Sequence, residues 1–96
     1  MRHLFIVSYD ISDPIRWAKV NKTMKGFGEH LQLSVFQCDL TPEQKVRMVA
    51  ALDEIIHHEK DQVVFIDLGP SEGREVKEIH AIGRPMEVVG REPMVV

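Results

Sequence analysis

The stretch that most limits how this chain can fold is Leu4-Phe5-Ile6-Val7-Ser8-Tyr9-Asp10-Ile11-Ser12-Asp13-Pro14. Its first half is a nearly continuous apolar run, too short and too β-branched for a comfortable helix. Apolar residues fill both alternations, the pattern of a strand covered on both faces. A carboxylate, Asp10, follows at once. Then comes a helix-start signal, with Ser12 or Asp13 as N-cap and Pro14 at the first helical position, where its missing N–H costs nothing. A strand over 3–9 therefore delivers Asp10 to the surface beside a helix N-terminus. Local sequence leaves two roles open to Asp10: cap or dipole stabilisation of about 0.5–2 kcal/mol, or binding a hard cation. Asp13 with Pro14 already accounts for the cap.

The first helix is expected to run to about Lys25. Trp17, Val20, Met24 and Phe27 recur at three- and four-residue spacings and give one apolar stripe, with Arg16, Lys19 and Lys22 following one another beside it. Gly26 and Gly28 then stop the helix. Leu31, Leu33 and Val35 alternate with Gln32 and Ser34, which predicts a short strand near 29–32 and a longer one near 33–38, separated by a bulge or tight turn. Thr41-Pro42-Glu43-Gln44 predicts a second helix opened by a capping box. That helix should reach about His57, with Val46, Val49, Leu52 and Ile56 facing inward. A last strand over 61–68, with Val63, Val64, Phe65, Ile66 and Leu68 in its core, is broken by Gly69-Pro70. Beyond Arg74, Val76, Ile79 and Ile82 suggest a short helix, whereas Met86-Val89 and Met94-Val96 look like strand fragments that need pairing.

The order β-α-β-β-α-β gives an α+β ferredoxin-like fold: one domain over residues 1–96, an antiparallel sheet with both helices on one face. The other sheet face is left for a second copy of the chain, with the C-terminal strand or tail used in dimerisation. No stretch approaches the ~20 apolar residues of a membrane span. The lone Cys38 cannot form an internal disulfide, which suits a reducing cytoplasm, and no His or Asn spacing marks it as a nucleophile. Neither a zinc pattern, a phosphate-cradling glycine loop nor a Ser-His-Asp signature is present. His57-His58 suits a helix C-terminus, where partial positive charge is favourable. The net charge of −3 argues against a generally basic nucleic-acid binder. Its distribution is uneven: up to Lys25 there are five basic residues against two acids, and beyond it seven against thirteen. A local basic surface is therefore compatible with an acidic total.

Tyr9-Asp10-Ile11-Ser12-Asp13 closing a first strand resembles the YDISD segment of the small CRISPR-associated endoribonuclease family Cas two (Cas2). Arg16, Lys19 and Val20 fit the basic start of that family's first helix. Gly28, Gln32 and Ser34-Val35-Phe36-Gln37-Cys38-Asp39-Leu40 resemble its second signature, and Asp61 to Phe65 its late strand. Arg74 to Gly83 and the closing Pro93-Met94-Val95-Val96 resemble the tail of one branch. Two positions depart from the pattern: His30 stands where an arginine is frequent, and Leu33 replaces a tyrosine.

The resemblance implies a cytoplasmic homodimer that works with the adaptation integrase Cas one (Cas1) in acquiring CRISPR spacers. It also implies a metal-dependent endonuclease acting on the phosphodiester bonds of RNA or DNA. Asp10 occupies the position of the family's metal-binding, catalytic aspartate, so one Mg²⁺ or Mn²⁺ would be shared across the dimer by paired Asp10. Arg16, Lys19 and Phe36 match positions linked to function or nucleic-acid contact, although Phe36 on a strand also reads as core; Tyr9 is open to packing or to contact with the nucleic acid. Two other readings stand beside this one. A non-catalytic DNA-binding scaffold of the integrase complex keeps the dimer and drops the chemistry. A ferredoxin-like binding module unrelated to CRISPR should carry clustered aromatics with glycine and basic residues on its central strands, and Val35-Phe36 lacks that company.

Overall fold

The computed structural model describes residues 1–72 and 81–83. The elements are β1 (His3–Asp10), α1 (Pro14–Lys25), β2 (Glu29–Gln32), β3 (Val35–Leu40), α2 (Pro42–Ile55) and β4 (Gln62–Pro70). The sheet order is β2-β3-β1-β4 with every pairing antiparallel. Each helix thus connects two strands that flank a third, the interlocked arrangement expected of a ferredoxin-like fold. The expected order and sheet are found. Shifts occur at the ends: α2 stops at Ile55 rather than His57, and β4 continues through Gly69 to Pro70 instead of breaking before them. Gly69 makes this extension possible with a φ of 93°, a conformation open to glycine.

The caps follow the sequence. Asp13 is extended and its Oδ2 accepts from the Arg16 amide at 2.9 Å, with Pro14 opening the helix. Thr41 and Gln44 close a reciprocal capping box on α2. Between β2 and β3 the chain turns at Leu33-Ser34, and the ladder shifts register between His30 and Gln32. Both the turn and the irregularity are present, and β3 begins at Val35 rather than at 33.

One face of the sheet carries Phe5, Val7, Tyr9, Phe36, Cys38 and Leu40 against Val20, Met24, Met48 and Leu52 of the helices. Trp17 and Phe27 complete the α1 stripe as partly buried residues. The α2 stripe differs from expectation. Met48 and Leu52 are buried, while Val46 and Val49 are 68% and 42% exposed. The helix is turned so that Lys45, Met48, Leu52 and Ile55 share the inner side. Lys45 is compatible with that side because its aliphatic stem lies along apolar surface and its ammonium sits over the Phe5 and Phe65 rings, at 5.1 and 5.6 Å.

The opposite sheet face is aliphatic in its β1–β4 half. Ile6 pairs with Ile66 and Ser8 with Val64, and Val64, Ile66 and Leu68 are all exposed. Among the described residues, β4 is an edge strand. The expected short helix and strand fragments beyond Arg74 lie outside the described residues, apart from an exposed Ile82. Among the described residues no helix is long and apolar enough to cross a membrane.

A candidate metal and nucleic-acid site at the end of the first strand

Asp10 is the last residue of β1 and is exposed. Its backbone position pairs with Gln62, the first residue of β4. Among the described residues its carboxylate makes no hydrogen bond and no ion pair. Asp13 does the capping, so the separation of duties expected from sequence is borne out in the geometry.

Asp10 stands on a firmly held support. One residue before it, Tyr9 is buried, and its hydroxyl accepts from Asn21 Nδ2 at 2.8 Å and donates to the Leu33 carbonyl at 3.3 Å. The Tyr9 amide donates to the Ser34 carbonyl at 3.1 Å. Burial pushes the Tyr9 phenol above its ordinary value, and the Asn21 bond offsets part of that. Tyr9 is thus a packed residue that ties α1 and the β2–β3 turn to the end of β1. Asn21, an ordinary polar position on a helix when read from sequence, was missed; its nearest signal is its place one turn after Trp17 on the inner side of α1.

Two residues after Asp10 a second anchor appears. The Asp61 side chain is fully shielded from solvent. Its Oδ1 accepts from the Ser12 amide (3.1 Å), the Ser12 hydroxyl (3.2 Å) and Arg16 Nη2 (3.2 Å). Its Oδ2 accepts from Arg16 Nε (2.7 Å) and the His57 amide (2.8 Å). The Arg16 guanidinium foremost holds the Asp61 carboxyl well below the usual carboxylate range; burial opposes it, and the His57 and Ser12 amides add to the lowering. Asp61 was not among the residues singled out from sequence, because its partners lie up to 49 positions away.

The residues expected to meet nucleic acid divide accordingly. Lys19 is exposed and, among the described residues, has no partner; Lys22 and Lys25 are alike. Arg16, linked by the resemblance to function or nucleic-acid contact, has two of its nitrogens committed to Asp61. Steps of three along an α-helix rotate by about 60°, so the lysines wind away from the side where Arg16 meets β4. Phe36 is fully buried in the core, beside Tyr9 at 6.2 Å between centroids. That enclosed position is the one the core reading of Phe36 expects. His30 lies flat on Phe36, centroids 4.4 Å apart at 6°, and its Nε2 is 3.0 Å from the Leu33 carbonyl. That nitrogen must carry the proton, since a carbonyl only accepts. His30 is a packing piece of the β2–β3 turn, not a substitute for an outward arginine.

Among the described residues no group of three or more His, Cys, Asp or Glu side chains could hold a metal ion. The described residues therefore offer no closed cage of the kind zinc takes. A lone exposed carboxylate fits Mg²⁺ or Mn²⁺ better, since magnesium keeps several waters and takes one or two carboxylates together with substrate phosphate. Cys38 is fully enclosed and its thiol is pushed up to about 12 by burial, so it is inert. The His3–Asp67 pair, 2.9 Å apart, lies at the other end of β1, about 24 Å away at the rise of an antiparallel strand.

Comparison with known proteins agrees with the order of elements and with the family that the sequence resembles. The model of the family described as CRISPR associated protein Cas2 matches residues 1–76. A Geobacter sulfurreducens protein named CRISPR-associated endoribonuclease Cas2 is 46% identical over 96 residues, covering all of both chains. A Rhodospirillum rubrum protein named CRISPR-associated endoribonuclease Cas2 1 is 42% identical over 94 residues, 98% of this chain and 91% of that one. The crystal structure of Streptococcus pyogenes Cas2 at pH 6.5 superposes with a TM-score of 0.68 at 30% identity, covering 80% of this chain and 99% of that one. The chain belongs to the CRISPR associated protein Cas2 family.

Proposed function

We propose that this chain is a CRISPR adaptation subunit that works as a homodimer, binds nucleic acid, and cleaves phosphodiester bonds with a divalent cation held by paired Asp10. The observation that carries the reading is the Asp10 carboxylate: exposed, unpartnered among the described residues, relieved of capping by Asp13, and mounted on a strand end anchored on both sides. The endoribonuclease names of the Geobacter and Rhodospirillum relatives support nuclease chemistry. The aliphatic face of Ile6, Val64, Ile66 and Leu68 supports the dimer, because a second copy would remove that surface from water.

Two Asp10 carboxylates brought together across a dimer repel, and a bound cation relieves that repulsion. The cation, Mg²⁺ or Mn²⁺, would neutralise phosphate charge and lower the pKa of a bound water. The protein's part is to hold Asp10 in place and to draw the phosphate backbone to Lys19 and its neighbours on α1. Within an adaptation complex the dimer would bridge DNA and the integrase Cas1. A second reading, a non-catalytic DNA-binding scaffold, draws support from Arg16 and His30. Both are turned to internal partners, which leaves fewer cations to stabilise a transition state.

Labelled RNA and DNA panels, incubated with wild type and Asp10→Ala with and without Mg²⁺ or Mn²⁺, test the proposal. Cleavage should require the cation and fall to background in Asp10→Ala. Equal cleavage by both proteins would identify a contaminant and end the nuclease reading. Asp10→Ala protein that no longer cuts yet still supports spacer integration would assign the in vivo role to the scaffold.

A further inference from the structure

The Asp61 carboxylate gathers donors from three places: the loop after β1 through Ser12, the first turn of α1 through Arg16, and the segment after α2 through His57. Arg16 Nη2 also donates to Ser12 Oγ at 3.2 Å, closing the triangle. The next residue, Gln62, pairs with Asp10. The short arch from Asp10 to Ser12 is therefore pinned at both ends by consecutive residues, Asp61 just before β4 and Gln62 at its start. A carboxylate that must meet its symmetry mate on one small cation tolerates little error, on the order of 0.5 Å. We propose that Asp61 is the positioning residue of this site: together with Arg16 it locks the arch that carries Asp10 against the start of β4. Arg16 then acts on the site through Asp61 rather than on phosphate.

The competing explanation, an ordinary surface ion pair, does not suit a carboxylate with no solvent exposure and five donors. A guanidinium already neutralised through Nε and Nη2 adds little attraction for a phosphate, whereas Lys19 has no such compensation among the described residues. The inference rests on Asp10 as a metal ligand, and its tests are chosen so that the two can fail separately.

Mn²⁺ binding to the full chain, without nucleic acid, is measured for wild type, Asp61→Asn, Arg16→Gln and the double variant. Each single change should weaken Mn²⁺ binding about tenfold or more, as loss of supporting groups around a metal site does. The double should be no worse than the weaker single, because the two residues act as one unit. Unchanged Mn²⁺ affinity in folded Asp61→Asn overturns the proposal. The salt dependence of duplex DNA binding separates the two roles of Arg16. Arg16→Gln should keep the wild-type slope of log affinity against log salt, and Lys19→Ala should reduce it by about one. A slope reduced by about one in Arg16→Gln makes it a phosphate ligand and overturns its placement behind Asp61. If wild type binds no Mn²⁺, the metal reading of Asp10 falls, and amide hydrogen exchange without metal decides the positioning claim. Protection lost at Ser12 in Asp61→Asn, with mid-β1 unchanged, upholds the lock; protection retained there removes it.

Discussion

Replacing Phe36 separates a contact residue from a core residue, because the two roles respond oppositely to a small and a large truncation. The ring has no solvent exposure, is covered by the flat His30 imidazole at 4.4 Å, and faces Tyr9 at 6.2 Å. Phe36→Ala leaves a cavity in the middle of the sheet and should cost about 3–5 kcal/mol. A domain of this size has only about 5–15 kcal/mol in total, and the melting temperature should drop by roughly 20 °C. The same cavity loosens Tyr9 and the Leu33-Ser34 turn, so any activity lost with Phe36→Ala would reflect a disturbed Asp10 support. Phe36→Leu keeps most of the volume and should cost about 1–2 kcal/mol. Thermal melts followed by duplex DNA titration at 20 °C give the test. Phe36→Leu should melt lower yet bind DNA with wild-type affinity. A well-folded Phe36→Leu that binds tenfold more weakly would show that the ring touches nucleic acid, and the burial argument would fail.

Three further outcomes follow from the same geometry. A Cβ on Gly28 would collide with the Gln37 carbonyl oxygen and the Cys38 sulfur, so Gly28→Ala should destabilise by about 2–3 kcal/mol in a urea melt; a gain from reduced chain entropy would refute the close approach. Tyr9→Phe removes the acceptor of Asn21 inside the protein and should cost about 1–3 kcal/mol, with Mn²⁺ affinity of the folded variant weakened as its support slackens; an unchanged melt would refute the network. The Cys38 thiol is pushed from 9.0 to about 12 by burial. The folded protein therefore keeps a proton that the unfolded chain releases, and stability falls as pH rises through that interval. By pH 10 the loss should reach about 1.4 kcal/mol relative to pH 8, and it should be absent from Cys38→Ala, so parallel pH profiles for the two proteins would contradict it.

Element order was legible because local signals agreed with one another. Asp13-Pro14 and Thr41-Pro42 set both helix starts, and alternation marked the strands. The site was legible in part. Asp10 could be freed from capping by inspection, since its rival lies three residues away. The partners of Arg16 and His30 could not be read, because a side chain that is solvated and one that is turned inward look alike until the partner is known. Arg16 finds its partner 45 residues later, and His30 is fixed by a ring across the sheet. The α2 stripe failed for a related reason. Its valines are the more apolar choice, but burial followed the side where Lys45 could lay its stem over two aromatic rings.

These inward commitments change what the basic first quarter of the chain can do. Of its five basic residues, Arg2 bonds the Asp39 carbonyl and Gln44, and Arg16 bonds Asp61. Lys19, Lys22 and Lys25 remain, spread over about 9 Å of α1 at 1.5 Å per residue. They begin nine residues beyond Asp10 in sequence, less than two turns into α1, and wind away from the β4 side that Arg16 occupies. On the proposed function, holding a phosphate backbone and holding a cation would fall to different residues on different elements. Loss of a lysine would then loosen the grip on the polymer and leave Asp10 in place. Loss of Asp10 would remove the proposed metal ligand and leave the lysine row intact. A protein so divided could lose its chemistry and keep its scaffold, so the nuclease and scaffold proposals are compatible with one another.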